Sequence, residues 1–307
     1  MKFPPPDSFR INFDNPLWHD FARIVARRHR IPVAPLERAT AGESIVFLTG
    51  EKFVLKIFIP NKNGLARERL ALETARTSLP IPRIVAHGSF EGYDYLFTTR
   101  IEGSPMMREN WLGLPENEQK AILSELAAGL RELHSSDASR IEFDWSEFVE
   151  RQAATCYERQ RKCQVNERAL AEIPGYLDAN LSLLPADGDR VFLHGDVHFG
   201  NLRLKFENGK WRISGLFDFA DSLKGFREYD FLAVGLLMIQ GQGDLQRHFF
   251  REFGYRDDEI DEALRKRLML LTMFYEWSDL RRYAVRLRPE AVEYSLIELE
   301  RAIWNFC

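Results

Sequence analysis

The sequence predicts an α+β protein of two lobes, a small β-rich lobe over residues 1–103 and a larger, mainly helical lobe over residues 104–307. Three observations predict it. β-branched and aromatic runs separated by turn signals crowd the first hundred residues. Helical hydrophobic spacing dominates after Gly103. A single pair of short apolar runs, joined by Glu207-Asn208-Gly209-Lys210, interrupts that helical series.

The elements follow in chain order. Asn15-Pro16 ahead of Leu17, Phe21, Ile24 and Val25 reads as a capped helix that opens on proline. Ile45–Leu48 and Phe53–Ile59 are strand-like, and Thr49-Gly50-Glu51-Lys52 between them signals a hairpin. Residues 64–78 return to helical spacing until Pro80-Ile81-Pro82 stops it. Two further strands, Arg83–Ala86 and Tyr95–Thr99, complete an antiparallel sheet, and the chain turns into the second lobe near residues 100–104. There the expected helices are 116–134, 146–163 and 166–183, then, beyond the hairpin, a helical region from Phe231 with one long pattern from Asp258 to Leu287.

Composition narrows the function classes. The chain of 307 residues is 45% hydrophobic and 29% charged, with a formal charge of −4, which argues against a nucleic-acid binder. Residues 1–103 hold 15 Lys and Arg against 11 Asp and Glu, and the remainder holds 27 against 35. A basic first part suits a polyanion such as a nucleoside triphosphate, and an acidic second part suits a cationic co-substrate. Cys156, Cys163 and Cys307 form neither a disulfide framework nor a zinc spacing. The start, Met-Lys-Phe-Pro-Pro-Pro-Asp, lacks the apolar core of a signal peptide, and the longest apolar run, Phe231 to Ile239, is too short to span a bilayer. A soluble, cytoplasmic protein without membrane partners is expected.

The chemistry concentrates in residues 191–218. Asp196 follows the apolar run Val191-Phe192-Leu193, with Gly195 free to take an unusual backbone angle. Its carboxylate suits the orientation and deprotonation of a hydroxyl. Asn201 and Asp218 offer oxygens to a hard cation, and the Asn208-Gly209 turn folds them toward each other. Upstream, Lys56 is a charge inside the apolar run Phe53–Phe58 and wants an anion. Glu68 on the following helix is its expected partner, with Glu73 the competitor. Thr40-Ala41-Gly42-Glu43-Ser44 is a candidate phosphate-covering turn, through Gly42 and Ser44. One base, two metal ligands and a phosphate-anchoring lysine are the parts that phosphoryl transfer requires. Tyr275, Glu276, Trp277 and Asp279 could line a pocket for a cation, but their helical spacing favours ordinary core and surface. Asp230 reads as a brace for the catalytic loop, and His198 as a hydrogen-bonded structural histidine.

These residues resemble those of the aminoglycoside phosphotransferase family, small-molecule kinases with a protein-kinase-like fold. His194-Gly-Asp-Val-His-Phe-Gly-Asn201 is similar to the family's catalytic loop, Phe217-Asp-Phe-Ala220 to its metal-binding segment, and Tyr229-Asp-Phe231 to its structural aspartate. Leu79-Pro-Ile-Pro82 also resembles the family pattern, and the likeness covers roughly residues 40–235. The resemblance implies Asp196 as base, Asn201 and Asp218 as Mg²⁺ ligands, and a Lys56–Glu68 pair that anchors the phosphates of ATP or GTP. It also implies a hinge at Thr98–Gly103, where backbone groups near Thr99 and Ile101 bind the base of the nucleotide. The implied acceptor is a hydroxyl of a small molecule, an aminoglycoside or related antibiotic, with sugars and choline-like or amino-acid-like metabolites as the alternatives. Gly195 and Ala220 stand where protein kinases carry Arg and Gly, and no Ala-Pro-Glu follows, which favours a small acceptor over a protein.

Two rivals come from other classes. Gly195-Asp-Val-His198 resembles the first metal-binding segment of calcineurin-like metallophosphoesterases, but the companion segments of that family are missing. A nucleotide-binding pseudokinase scaffold would lack the base, the lysine or a metal ligand, and the sequence carries all of them.

Overall fold

The computed structural model describes residues 3–39, 42–184 and 190–307. Helix α1 (Leu17–Arg28) buries Trp18, Phe21, Ala22, Val25 and Ala26, the i, i+3, i+4, i+7, i+8 stripe of an amphipathic helix. Asn15 Oδ1 accepts the Leu17 N–H at 3.0 Å, and Arg30, with φ of 57°, ends the run. The stripe packs on a five-stranded antiparallel sheet of β1 (Leu36–Arg38), β2 (Ile45–Thr49), β3 (Phe53–Ile57), β4 (Ile84–Phe90) and β5 (Tyr93–Thr99), in the order β1-β2-β3-β5-β4. Ile45, Phe47, Leu55, Ile57, Tyr93, Tyr95 and Phe97 meet α1 in one apolar core.

Alternation along β3 sends Leu55 and Ile57 into that core and Lys56 to the opposite face. That face is covered by α2, and there Phe58, Leu72 and Leu96 join the core of the second lobe. Helix α2 (Gly64–Thr74) is shorter than the expected 64–78. Ala75 leaves the helix at ψ of 130°, and Thr77 Oγ1 instead donates to the Gly129 carbonyl at 2.8 Å, so a tertiary contact overrides the helical spacing. The strand β1 carried too few apolar residues to be expected, and β4 runs on to Phe90 because β5 supplies it a partner along its length.

The second lobe contains α3 (Arg108–Leu112), α4 (Glu116–His134), α5 (Trp145–Lys162), α6 (Glu167–Asn180), α7 (Tyr229–Ala233), α8 (Gly243–Phe253), α9 (Glu262–Phe274), α10 (Leu280–Leu287) and α11 (Leu296–Ile303). Two small antiparallel pairs interrupt the helices: β6 (Val191–Leu193) with β9 (Leu223–Gly225), and β7 (Leu202–Glu207) with β8 (Lys210–Leu216). The β7–β8 hairpin also ties the lobes together. The Ser214 hydroxyl donates to the Glu102 carbonyl at 2.6 Å, and the Leu216 N–H donates to the Pro80 carbonyl at 2.9 Å.

The long pattern expected over 258–287 is two helices. Asp279 accepts the Arg282 N–H at 2.9 Å and starts α10 afresh, a strong N-cap that competes with helix continuation. The intervening residues, Tyr275 to Asp279, become a connection rather than a helical face. Among the described residues, no helix is long and apolar enough to cross a membrane.

Candidate active site

The loop between β6 and β7 is held from below by one buried carboxylate. Asp230 accepts the His194 N–H at 3.0 Å, the Gly195 N–H at 2.7 Å and His134 Nε2 at 2.8 Å. Gly195 lies at φ of +87°, and a Cβ there would stand 2.3 Å from the Asp221 carbonyl oxygen, so both backbone angle and space demand glycine. The loop thereby lifts Asp196 out of the strand.

The Asp196 carboxylate has three side-chain donors. His198 Nε2 and Asn201 Nδ2 lie 3.2 and 3.1 Å from Oδ2, and the Tyr275 hydroxyl lies 2.8 Å from Oδ1. His198 Nδ1 accepts the Gly200 N–H at 2.8 Å, which assigns the proton to Nε2 and makes that nitrogen the donor. Burial pushes the Asp196 pKa up, but the hydrogen bonds from His198 and Tyr275 outweigh it, and the carboxyl titrates below its ordinary value. His198 spends both ring nitrogens inside the loop, which does not suit the metal-ligand role a metallophosphoesterase would give it.

The hairpin brings the other two oxygens in. Leu202 pairs with Leu216, and the Phe217 N–H continues the ladder to the Asn201 carbonyl at 3.0 Å, so Asn201 and Asp218 end up side by side. Asp218 sits in the left-handed region at φ of 67°, an unusual conformation for a residue with a side chain. From the first lobe, Lys56 Nζ reaches Glu68 Oε2 at 2.8 Å and Asp218 Oδ1 at 2.6 Å. Burial works against the Lys56 charge, yet Glu68 and Asp218 together raise its pKa, so the ammonium stays charged. Lys56 in turn holds Asp218 below the usual carboxylate range against its own burial.

The competing partner, Glu73, is elsewhere, paired with Arg69 at 3.2 Å and Arg140 at 3.5 Å. Gly42, at φ of +107°, and Ser44 stand in the connection between β1 and β2, and no hydrogen bond joins either to Lys56, Asp196 or Asp218 among the described residues. Thr40 and Ala41 of that turn lie outside the described residues. The Thr99 N–H donates to the Arg83 carbonyl and its hydroxyl accepts the Arg83 N–H, both at 2.9 Å, so its donor is already used between strands. The Ile101 backbone has no such bond among the described residues. In the sequence, the helical spacing of Tyr275 favours ordinary core and surface over a pocket. Its placement on Asp196 depends on the break between α9 and α10, which hydrophobic spacing does not reveal.

The donor set fits a hard divalent cation. Asn201 commits its amide nitrogen to Asp196, at 2.9 Å to the carbonyl and 3.1 Å to Oδ2, which leaves its amide oxygen as the free end. With the Asp218 carboxylate beside it, the pair presents the neutral and anionic oxygens that Mg²⁺ prefers.

A small antiparallel lobe whose lysine reaches a carboxylate of a helical lobe, beside a loop that displays Asp and Asn, defines the protein-kinase-like fold. Residues 36–271 match the model of the phosphotransferase enzyme family, and the chain belongs to that family. No curated protein matches the chain. Among solved structures, it is similar to the GDP complex of wild-type aminoglycoside 2'-phosphotransferase-IIIa, with a TM-score of 0.68 and 15% identity over 95% of this chain and 99% of that one. The GDP and kanamycin complex of an APH(2") enzyme gives a TM-score of 0.68 and 16% identity over 94% and 98% of the two chains. The streptomycin–ATP ternary complex of APH(2")-IIa gives a TM-score of 0.59 and 18% identity over 91% and 97%.

Proposed function

We propose that this phosphotransferase moves the γ-phosphoryl group of ATP or GTP onto a hydroxyl of a small molecule. The observation that carries the reading is the bridge between the lobes: Lys56, backed by Glu68, lies 2.6 Å from Asp218. On this reading residues 1–103 form the nucleotide-binding lobe and residues 104–307 the catalytic one, with Ile101 the better of the two backbone candidates for the nucleotide base. Gly42 and Ser44 would cover the phosphates from the β1–β2 turn.

Each residue then has one task. Lys56 leaves Asp218 for the phosphate oxygens, a shift its flexible four-carbon stem allows. Asn201 and Asp218 would hold Mg²⁺, which when bound offsets phosphate charge. Asp196 orients the acceptor hydroxyl and takes its proton, and its depressed pKa keeps it ionised for that at neutral pH.

A small acceptor is supported by Gly195. The packing of its Cα against Asp221 leaves no room for the arginine that couples protein kinases to a phosphorylated segment. Kanamycin and streptomycin occur in complexes of similar structures, so aminoglycosides are the first class to test, with sugars and choline-like or amino-acid-like metabolites beside them.

A coupled assay of ADP or GDP release over such a panel tests the reaction. In it, Asp196→Asn should lower transfer by about 10²–10⁴-fold, the usual contribution of a positioned base, with nucleotide affinity nearly unchanged. Wild-type turnover in that variant would remove the assignment of the base. Nucleotide binding without consumption by any acceptor would favour a scaffold instead.

A further inference from the structure

The donors on Asp196 come from two separate parts of the chain. His198 and Asn201, which bond Oδ2, belong to the same loop as the carboxylate and move with it. The Tyr275 hydroxyl, 2.8 Å from Oδ1, stands just past the end of α9, 79 residues away in sequence. A carboxylate offers about four lone-pair positions. Three are taken, and among the described residues no hydrogen bond fills the second position on Oδ1. The Asp196 side chain is 22% exposed, so an incoming hydroxyl can reach it.

We propose that Tyr275 is a positioning residue, which registers the Asp196 carboxylate against the helices of the second lobe and leaves one position on Oδ1 for the acceptor hydroxyl. This role rests on the reading of Asp196 as the base. The phenol stays bonded throughout. The acceptor hydroxyl donates to the open position, its oxygen attacks the γ-phosphorus, and the bond from phosphorus to the diphosphate leaving oxygen breaks. The hydroxyl proton passes to Oδ1. Donors within the loop fix the carboxylate only relative to the loop and its neighbour Asn201. The phenol adds a reference from outside it, where a misplacement of about 1 Å can cost 10²-fold in rate.

Three observations hold the phenol in place. Its ring is buried, 5% exposed, and packs edge-on against Tyr229 at 5.7 Å. The connection that carries it is tied down: the Ser278 N–H donates to the Tyr275 carbonyl at 2.9 Å, and Gln160 of α5 grips the far end. The fully buried Gln160 amide donates to the Ser278 hydroxyl at 2.9 Å and accepts the Leu280 N–H at 3.0 Å. Burial and the neighbouring Asp196 charge raise the phenol's pKa, so it remains protonated and acts as the donor.

Tyr275→Phe keeps the ring and removes the hydroxyl. Tyr283→Phe is the control, because that buried phenol donates to the Trp277 carbonyl at 3.3 Å and not to Asp196. Diphosphate release should be measured on the full chain at saturating MgATP and then MgGTP, with water as the sole acceptor and then with each compound of the panel. The proteins are wild type, the two tyrosine variants, Asp196→Asn, and Tyr275→Phe combined with Asp196→Asn. In Tyr275→Phe, kcat should fall about tenfold, the low end of what one hydrogen bond to a charged group is worth, while the KM for nucleotide and the melting temperature stay near those of Tyr283→Phe. In the Asp196→Asn background the same change should cost nothing further, because no base remains to be positioned. Turnover in Tyr275→Phe equal to or above wild type overturns the proposal. So does a loss that persists in the Asp196→Asn background, or one that Tyr283→Phe shares, since either marks a structural contact only. Failure of the broader reading is separate: there Asp196→Asn leaves turnover untouched, or wild type releases no diphosphate with any acceptor.

Discussion

Replacing Asp230 by Asn tests the brace beneath the catalytic loop. The Asp230 side chain is fully buried and receives three donors: His194 N–H and His134 Nε2 on one oxygen, Gly195 N–H on the other. A carboxylate is acceptor-only and satisfies all three. Asparagine has one oxygen and one NH₂, so in either orientation an N–H faces an N–H. The less costly orientation keeps the two donors on Oδ2 and leaves the Gly195 N–H unpaired. One lost bond to a charged acceptor and one orphaned buried donor together cost about 2–4 kcal/mol. Asp230→Ala orphans all three donors and should exceed that.

Urea unfolding compared at constant slope reads the loss. The exposed Asp257, paired with Arg251 at 2.6 Å, is the control, and its Asn variant should stay within about 0.5 kcal/mol of wild type. Because Gly195 immediately precedes Asp196, turnover should fall together with stability. A loss below about 1 kcal/mol with wild-type turnover would refute the brace.

Gly195→Ala should cost about 1–3 kcal/mol and reduce kcat more than the KM for nucleotide, because the added Cβ meets a backbone carbonyl at an angle that disfavours side chains. Matched unfolding and steady-state kinetics check it. The pH profile follows from Asp196, whose pKa is depressed below the ordinary 3.8. The stability it contributes is fully present above that ordinary value and is lost as pH falls through the lower folded value. Turnover should therefore stay level from neutrality down to about pH 5, and a base-dependent fall centred near pH 6 would contradict the assignment.

Much of the site was legible because its chemistry is local in sequence. Asp196 and Asn201 share one loop. The Asn208-Gly209 turn fixes the hairpin that places Asp218 beside Asn201, and alternation in β3 turns Lys56 away from the apolar core. The sheet and most of the long helices were legible for the same reason, since their periodicity is carried by neighbouring residues. Where local pattern met a distant partner, the reading failed. Helix α2 stops at Thr74 because Thr77 finds the Gly129 carbonyl, and β4 extends because β5 pairs with it.

The sequence by itself determined the reaction class: a displayed carboxylate, two further oxygen-bearing side chains and an inward lysine are residue types at spacings that short-range geometry can enforce. Only the tertiary structure decided between Glu68 and Glu73, since both lie on the same helical stretch and the packing of α2 on the sheet selects which reaches Lys56. Likewise it set Tyr275 on Asp196, 79 residues away in sequence. Asp279 caps a new helix, and the connection this leaves carries the Tyr275 phenol to Asp196. Such contacts depend on how separate elements dock, and no local pattern of residues encodes that.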